Sequence, residues 1–557
     1  MLISVIAGLL ASIAAMIPAG IAAHSSSSRS PVWVLGAAIA AVLIQRFVID
    51  RGRGGRAYDG MADLLIHIHS PSSPDSGLRW AARGLISALF AASGAPVGCE
   101  GPAIEFGHAF AVATRSKYSR WFERQRRSDA SRALAAGVAA GLGAPFAGFV
   151  LPLELGMGGR HVDVLVASFA AFLGSRLIRA YFDFSLPDFG LLLGSGFGTG
   201  IPAWNAWVAA VAVGLAAGVV GTVLIRFFRY AQESLMDLFQ TQTWMRTLGA
   251  GVLLFLVLLV FHPGHVAPSL IFVRMLQGQG SAVDSALLFG SLTLSFSMML
   301  AGFGTLGVFA PLAALGACLG SGVNLLTLGA FSAPAAMAGF AGVAGLWGAV
   351  LGTPLAGAVL AFELTGNAPV LLPCILAGFL GREVRRRLKT RTLAELDLES
   401  RGLTLMEGRS KAVLDSVSVA DAMVSDHEVV HELEPVADIY PRLRKSRYPF
   451  LPVVSSSNAY VGLLTIDLVQ DAWRAQSATS NSSLAKLLEA KDLLYRAGLK
   501  APTVKANERL TATSGIFGAM PCAVVLTDEG RVSGLLFAHN VRLAYDREVG
   551  RRSLRVE

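Results

Sequence analysis

The sequence predicts an all-α polytopic membrane domain followed by a small α/β tail, and three observations carry that prediction. Apolar residues make up 53% of the chain and charged residues only 15%, where a soluble protein carries about 25% charged. The composition also changes along the chain: Met1 to about Leu380 is mostly Ala, Gly, Leu, Val and Phe, and from Arg382 onward the sequence is that of a soluble domain. Finally, two pairs of apolar motifs recur at a single spacing of 209 positions (98 to 307 and 143 to 352). The division expected is a membrane domain over 1–395 and a cytoplasmic tail over 396–557, the latter long enough for one or two small domains.

The first run, "MLISVIAGLLASIAAMIPAGIAA", lacks the charged n-region of a signal peptide and has many apolar segments behind it, so it reads as a first membrane helix. Further apolar segments lie near 33–48, 83–97, 133–153, 162–180, 204–226, 246–261, 285–301, 307–328, 333–362 and 368–380. Several fall short of the roughly 20 residues of a simple span, and Gly and Pro break many of them. Irregular backbone at membrane depth survives only if buried in protein or lining a polar cavity, which is how transporters build ion sites from interrupted helices. "GREVRRRLKTR", Gly381 to Arg391, follows the last segment directly. Lys and Arg beside a span mark its cytoplasmic side. Much of the net charge of +9 therefore belongs to membrane edges and gives no sign of nucleic-acid binding.

The recurring motifs indicate a duplicated domain. "GCEGPAIEFG" at Gly98 matches "GVFAPLAALG" at Gly307, and "GAPFAGFVLPLEL" at Gly143 matches "GTPLAGAVLAFEL" at Gly352. The halves lie near 30–180 and 240–380, and inverted repeats with a site between them are the commoner transporter design. The tail also looks double. β-runs around "YPFLPVV" and "AYVGLLT" precede a helix, and "CAVVLTD" and "VSGLLFA" repeat that order with a turn at Asp528–Gly530. The two modules fall at about 412–475 and 493–548.

Glu100 is the residue most in need of explanation. An ionisable side chain inside a membrane is expensive and marks a functional site by default. Pro102 suits the first turn of a helix, and Gly98 and Gly101 allow close approach of the backbone. The free N–H groups of such a first turn attract anions. A carboxylate tethered there competes with a mobile anion when ionised and lets go when protonated. The competing structural reading is a carboxylate satisfied by local N–H groups. In the other half Phe309 stands where Glu100 does, and Pro311 is the counterpart of Pro102. A second helix N-terminus, with an aromatic ring beside it, is expected to point to the same place.

"GCEGP" resembles the GREGP motif of the CLC chloride channel and transporter family, and "GVFAP" resembles its GxFxP motif. The pair at Gly143 and Gly352 is similar to that family's two repeat helices, and the tail resembles the tandem CBS domains many members carry. The resemblance implies a homodimer in the lipid bilayer of the cell (plasma or inner) membrane, with a separate pore in each subunit. It makes Glu100 the gating glutamate and turns the backbone near Gly98, Gly101, Val308 and Phe309 toward the anion, chloride or a relative. Channels and anion/proton exchangers both occur in the family, and the choice stays open.

Some positions depart from the family pattern. Aligning "GRGGRAYDG" with the family's GSGIP places Arg53 at its anion-binding serine, and aligning on "RTLAE" places Arg385 at its pore tyrosine. Two guanidiniums there would favour tighter chloride binding or a planar oxyanion such as nitrate or bicarbonate, and fluoride is a further alternative. The other reading turns both arginines to cytoplasmic water, screened by Asp59 or Glu383. Many exchangers carry an inner proton glutamate at the position of Leu155; its neighbour Glu154, with Glu363 as repeat counterpart, is the remaining candidate for an inner proton path. In the tail, Thr465 and Asp467 only partly match the ribose-binding pattern of CBS pairs, so an adenine nucleotide is expected less than a structural, dimer-stabilising role.

The remaining features exclude more than they indicate. Cys99, Cys318, Cys374 and Cys522 lack metal-ligand spacing and read as packing residues. His67 and His69, and His262 and His265, have no cysteine or acidic company, and no metal is expected. A CBS-regulated cation transporter would need clustered membrane carboxylates, and these are isolated. No nucleophile triad, zinc pattern or Walker loop suggests an enzyme, and no cofactor is required.

Overall fold

The computed structural model describes residues 2–24, 31–49, 60–61, 63–65, 76–115, 122–182, 204–239, 243–261, 268–326, 334–400, 417–446, 448–478, 488–497, 501–513, 516 and 522–553. Two compact units divide the chain, Met1–Asp397 and Leu398–Glu557.

The first unit is helical. Its first half holds α1 (Leu2–His24), α2 (Val32–Ile44, continued by a π turn over Gln45–Ile49), α3 (Gly77–Ser93), α4 (Glu100–Arg115), α5 (Phe122–Leu142), α6 (Pro145–Glu154) and α7 (His161–Phe182). The second holds α8 (Trp204–Phe239), α9 (Thr243–Val260), α10 (Pro268–Leu276), α11 (Ala282–Phe303) and α12 (Phe309–Leu326). It closes with α13 (Ala335–Leu346, continued by a π turn over Trp347–Leu351), α14 (Pro354–Thr365), α15 (Leu371–Arg387) and α16 (Leu393–Ser400). Among the described residues, five helical stretches are long and apolar enough to cross a membrane: Val32–Ile49, His161–Tyr181, Trp204–Phe239, Ala282–Phe303 and Phe309–Leu326.

Two apolar runs that read as continuous are broken in the structure. Residues 133–153 divide at Gly143 (φ +71°) and residues 333–362 divide at Gly352 (φ +81°). A left-handed glycine ends one helix, and Pro145 or Pro354 opens the next, where its missing N–H costs nothing. The short helices α6 and α14 result, one from each copy of the repeated motif. Packing then relies on small residues. A Cβ at Gly316 of α12 would stand 2.6 Å from the Cα of Val343 in α13, and one at Gly214 of α8 would stand 2.8 Å from the Cα of Ala377 in α15. Such backbone-to-backbone contact is how helices associate where water supplies no hydrophobic drive. Large apolar side chains such as Leu9, Leu177, Val223 and Leu256 face outward, as a lipid-facing surface requires.

The second unit holds α17 (Val419–Ala422), β1 (Val430–His431), α18 (Val436–Lys445), β2 (Phe450–Val454), β3 (Tyr460–Thr465) and α19 (Ile466–Ala478). Then come α20 (Ala490–Ala497), β4 (Thr503–Lys505), β5 (Cys522–Leu526), β6 (Val532–Phe537) and α21 (Ala538–Ser553). Its two three-stranded sheets have one topology: β1 runs parallel to β2 and β2 antiparallel to β3, and β4, β5 and β6 repeat this. The cores are cross-built, unlike the sequential modules expected. Val424 exchanges hydrogen bonds with Leu535 of β6, and Val419 packs in the core of the second sheet. In return Ala490 and Lys491 donate to the carbonyls of Glu434 and Glu432, and Leu493 packs in the core of the first.

Candidate functional site

Two loops meet back to back between the halves of the first unit. Gly98, in the α3–α4 loop, donates its N–H to the carbonyl of Gly307, in the α11–α12 loop, at 3.0 Å. A Cβ on Gly307 would stand 2.6 Å from the Gly98 carbonyl, and one on Gly101 would stand 2.6 Å from the Gly307 nitrogen. Only glycine permits this approach. Directly after the loops, α4 begins at Glu100 and α12 at Phe309. The first turn of a helix leaves its N–H groups without intrahelical partners and carries the positive end of the helix dipole. Two such ends, one from each half, converge here.

Glu100 is fully buried, and its Oε1 accepts a 2.8 Å hydrogen bond from the N–H of Ala310, in the first turn of α12. The acidic side chain of one half thus lies across the helix N-terminus of the other. Glycines make room for it. A Cβ on Gly98 would overlap the carboxylate itself, and one on Gly141 of α5 would stand 2.7 Å from the Glu100 nitrogen. Phe309 is also fully buried, its ring centroid 5.6 Å from that of Trp347. A cavity of about 30 Å³ lies against Gly304, Thr305, Val308 and Phe309, with Leu155 and Met61 on its wall. It has room for about one water-sized species.

A second carboxylate arrangement ties the halves together. The two oxygens of Glu154, at the end of α6, accept from the N–H groups of Leu355 and Ala356 at 2.9 and 2.7 Å. Those of Glu363, at the end of α14, accept from Phe146 and Ala147, each at 2.7 Å. Each short helix ends in a carboxylate that caps the start of the other, and all three residues of one set lie 209 positions from their counterparts. Glu154 was singled out in the sequence for proton transfer; its geometry is that of a cap.

The structure brings Gly98, Glu100, Gly101, Val308 and Phe309 together. Arg385 is buried; it donates to the Thr390 carbonyl at 2.7 Å and lies 4.0 Å from Glu395, in the turn after α15. Glu383 pairs with Arg386 and Arg387 instead. Arg53, Asp59, His67, His69, His262 and His265 lie outside the described residues. Thr465 accepts from the N–H of Leu468 at 3.4 Å and so caps α19, with Asp467 in that first turn. Cys318, Cys374 and Cys522 are buried, and burial pushes the Cys522 thiol up to about 12. Among the described residues no group of three His, Cys, Asp or Glu is placed to hold a metal. Sequence reasoning missed the Ala310 amide, which no residue type announces, and the capping role of Glu363, which the spacing of 209 placed opposite Glu154.

A family model described as voltage gated chloride channel matches residues 36–386. A curated relative, the H(+)/Cl(-) exchange transporter ClcA of Cronobacter sakazakii (strain ATCC BAA-894), is 25% identical over 326 residues, which is 55% of this chain and 68% of that protein. Among solved structures, a slow cyanobacterial Cl-/H+ antiporter superposes with a TM-score of 0.58 at 20% identity, over 72% of this chain and 97% of the other. A eukaryotic CLC transporter gives 0.58 at 15% identity over 97% of both chains. A CLC-type fluoride/proton antiporter gives 0.55 at 19% identity, over 70% of this chain and 97% of the other.

Proposed function

The chain belongs to the voltage gated chloride channel family, and from that premise we propose that it moves chloride or a related small anion across a lipid bilayer through the site between α4 and α12. The observation that carries the reading is the Glu100 carboxylate hydrogen-bonded to the Ala310 amide. An anion that reaches this helix N-terminus must displace that carboxylate. Ionised, Glu100 competes for the donors; protonated, it loses the charge that holds it there, and the path opens. The same step picks up a proton, so Glu100 is gate and proton acceptor together. Leu155 on the cavity wall offers no relay, so any proton coupling uses another route. Reconstitution in liposomes with anion flux and pH recorded together tests this. Chloride flux that rises on acidification, with that rise lost in Glu100→Gln, is expected; the absence of any anion flux would overturn it. Proton movement in fixed ratio to chloride would make the protein an exchanger, and flux without protons a channel.

Three further features follow the same reading. Reciprocal capping of α6 and α14 is what a two-fold relation between inverted halves would produce. The half-exposed Phe146, with Leu153 and Leu355, gives those helices an apolar outer face suited to a second copy of the chain. The repeated sheet topology of the second unit supports a tandem CBS pair. The arginines at the end of α15 support a cytoplasmic position for that pair, with a structural role favoured over nucleotide binding.

A further inference from the structure

Among the described side chains of α4, three titratable ones are buried completely: Glu100, Glu105 and His108. Glu105 reaches the same segment of the other half that Glu100 does. Its Oε1 accepts from the N–H of Leu306 at 3.4 Å, while Glu100 accepts from Ala310. Between these points the Gly307 N–H donates to Thr305 Oγ1 at 3.0 Å, and Thr305 Oγ1 lies 3.2 Å from Ser87 Oγ of α3. The Gly307 carbonyl is taken by Gly98. The amides of Val308 and Phe309, those expected to face an anion, therefore lie between two anchors that α4 supplies as carboxyl groups.

A buried acceptor needed only for structure would be cheaper as an amide, because burying a carboxylate costs far more than burying a neutral polar group. A carboxylate differs in that its grip changes on protonation: hydrogen bonds to an ionised acceptor are about twice as strong as neutral ones. His108 stands three residues further on the same helical face, edge-on to Trp80 at 4.6 Å. The Arg83 guanidinium lies 5.1 Å over that indole and pairs with Asp63 at 3.4 Å. The side chains of Arg83 and Asp63 are 15% and 17% exposed. A file of polar and aromatic groups thus leads from a partly solvated ion pair to His108, one helical turn from Glu105. The other ionisable groups on the elements packed against α4 are Arg79 on α3 and, on α5, Glu123, Arg124, Arg126 and Arg127 in its first turns and the buried Asp129–Arg132 pair; α1 carries none before His24.

We propose that Glu105 is a positioning residue that holds the Leu306–Phe309 segment in its anion-binding form, and that its own protonation, shared with His108, gives transport a second pH dependence separate from that of Glu100. The proposal rests on the anion-transport reading and adds a regulatory group to that site.

The test uses the full chain in liposomes, with chloride as the probe, varied in concentration and from about pH 4 to 8, the range in which carboxyl groups and imidazoles titrate. Glu105→Ala should raise the chloride concentration for half-maximal flux about tenfold or more, the scale expected for losing a charge-assisted hydrogen bond. Glu105→Gln offers Leu306 the same acceptor without the titration. It should hold half-maximal chloride across the range at the value the parent shows in acid, between those of the parent at neutral pH and Glu105→Ala, so that one limb of the pH profile is lost while the limb removed by Glu100→Gln remains. The chloride-dependent rise in thermal unfolding midpoint in detergent reads the same site without transport and exposes any variant that does not fold. If the parent moves chloride and both variants keep its half-maximal concentration and pH profile, this proposal falls alone. If the parent neither moves nor binds chloride, the transport reading falls and takes this one with it.

Discussion

The Glu100 carboxylate occupies the volume a Cβ at Gly98 would need. Gly98→Ala should therefore push the carboxylate off the Ala310 amide with no change to any charged residue. The bond lost is a 2.8 Å hydrogen bond to a charged acceptor, worth roughly 1.5–3 kcal/mol. At about 1.4 kcal/mol per factor of ten, the balance between seated and displaced carboxylate shifts roughly ten- to hundredfold toward displaced. In liposomes at neutral pH, chloride flux should rise toward the rate the parent reaches only in acid, and its pH dependence should flatten. The control is Gly98→Ala in a Glu100→Ala background. There the methyl has nothing to displace, so its effect should shrink to less than about twofold, the residual expected when the coupled partner is gone. Parental flux and pH dependence in Gly98→Ala, or an effect that survives undiminished in the Glu100→Ala background, would refute the idea that this contact is the gate.

Glu363→Ala strips the first-turn amides of α6 of both acceptors and should cost about 1–3 kcal/mol, read as a lower unfolding midpoint in detergent. Half-maximal chloride should hardly move, and Glu154→Ala combined with Glu363→Ala should cost less than the sum, because both join the same two helices. Arg385→Leu should lower stability through the turn at Thr390 but leave the order of anion preference in flux assays unchanged; a changed preference would put the guanidinium on the path. In the second unit the Ser418 hydroxyl and N–H hold the Asp421 carboxyl below its usual range. A carboxyl lowered in the folded state stabilises above its unfolded pKa and loses that contribution as pH falls through the folded value. Asp421→Asn should therefore weaken protection of the β4–β6 amides in hydrogen exchange at neutral pH and narrow the gap from the parent in acid. A constant gap across pH would show that the capping box is not what titrates.

The parts of the fold legible in the sequence were those where a residue type is out of place. A glutamate amid glycines and a spacing of 209 repeated twice pointed to Glu100 and to its opposite helix. Helix breaks were harder to see. Gly143 and Gly352 interrupt runs that stay apolar on both sides, and 60 glycines in one chain give no hint which of them turns left-handed. α4 itself was absent from the apolar segments because Glu100, Glu105 and His108 dilute it, although all three are buried. The crossed cores of the second unit were hidden for a different reason: β1–β3 and β4–β6 are local, but which unit Val424 or Leu493 joins is decided across a long separation. Arg385, a residue type that suggests an anion, donates to the Thr390 carbonyl, a contact no residue type announces.

These misses share a cause with the site's chemistry. The donors at the junction of α4 and α12 are backbone N–H groups, and every residue but proline carries one. What the sequence records is only their imprint: glycines at Gly98, Gly101, Gly141 and Gly307 where a side chain would collide, and acidic groups that accept from the exposed amides. An amide site bare of competing carboxyls would bind an anion and hold it. One carboxyl tied to Ala310 makes binding conditional on displacement; a second tied to Leu306 makes the shape of the site conditional as well. Glu100→Gln should therefore change how readily the path opens, and Glu105→Ala how tightly chloride sits in it. The two effects separate as a change in maximal flux for the first and in half-maximal concentration for the second.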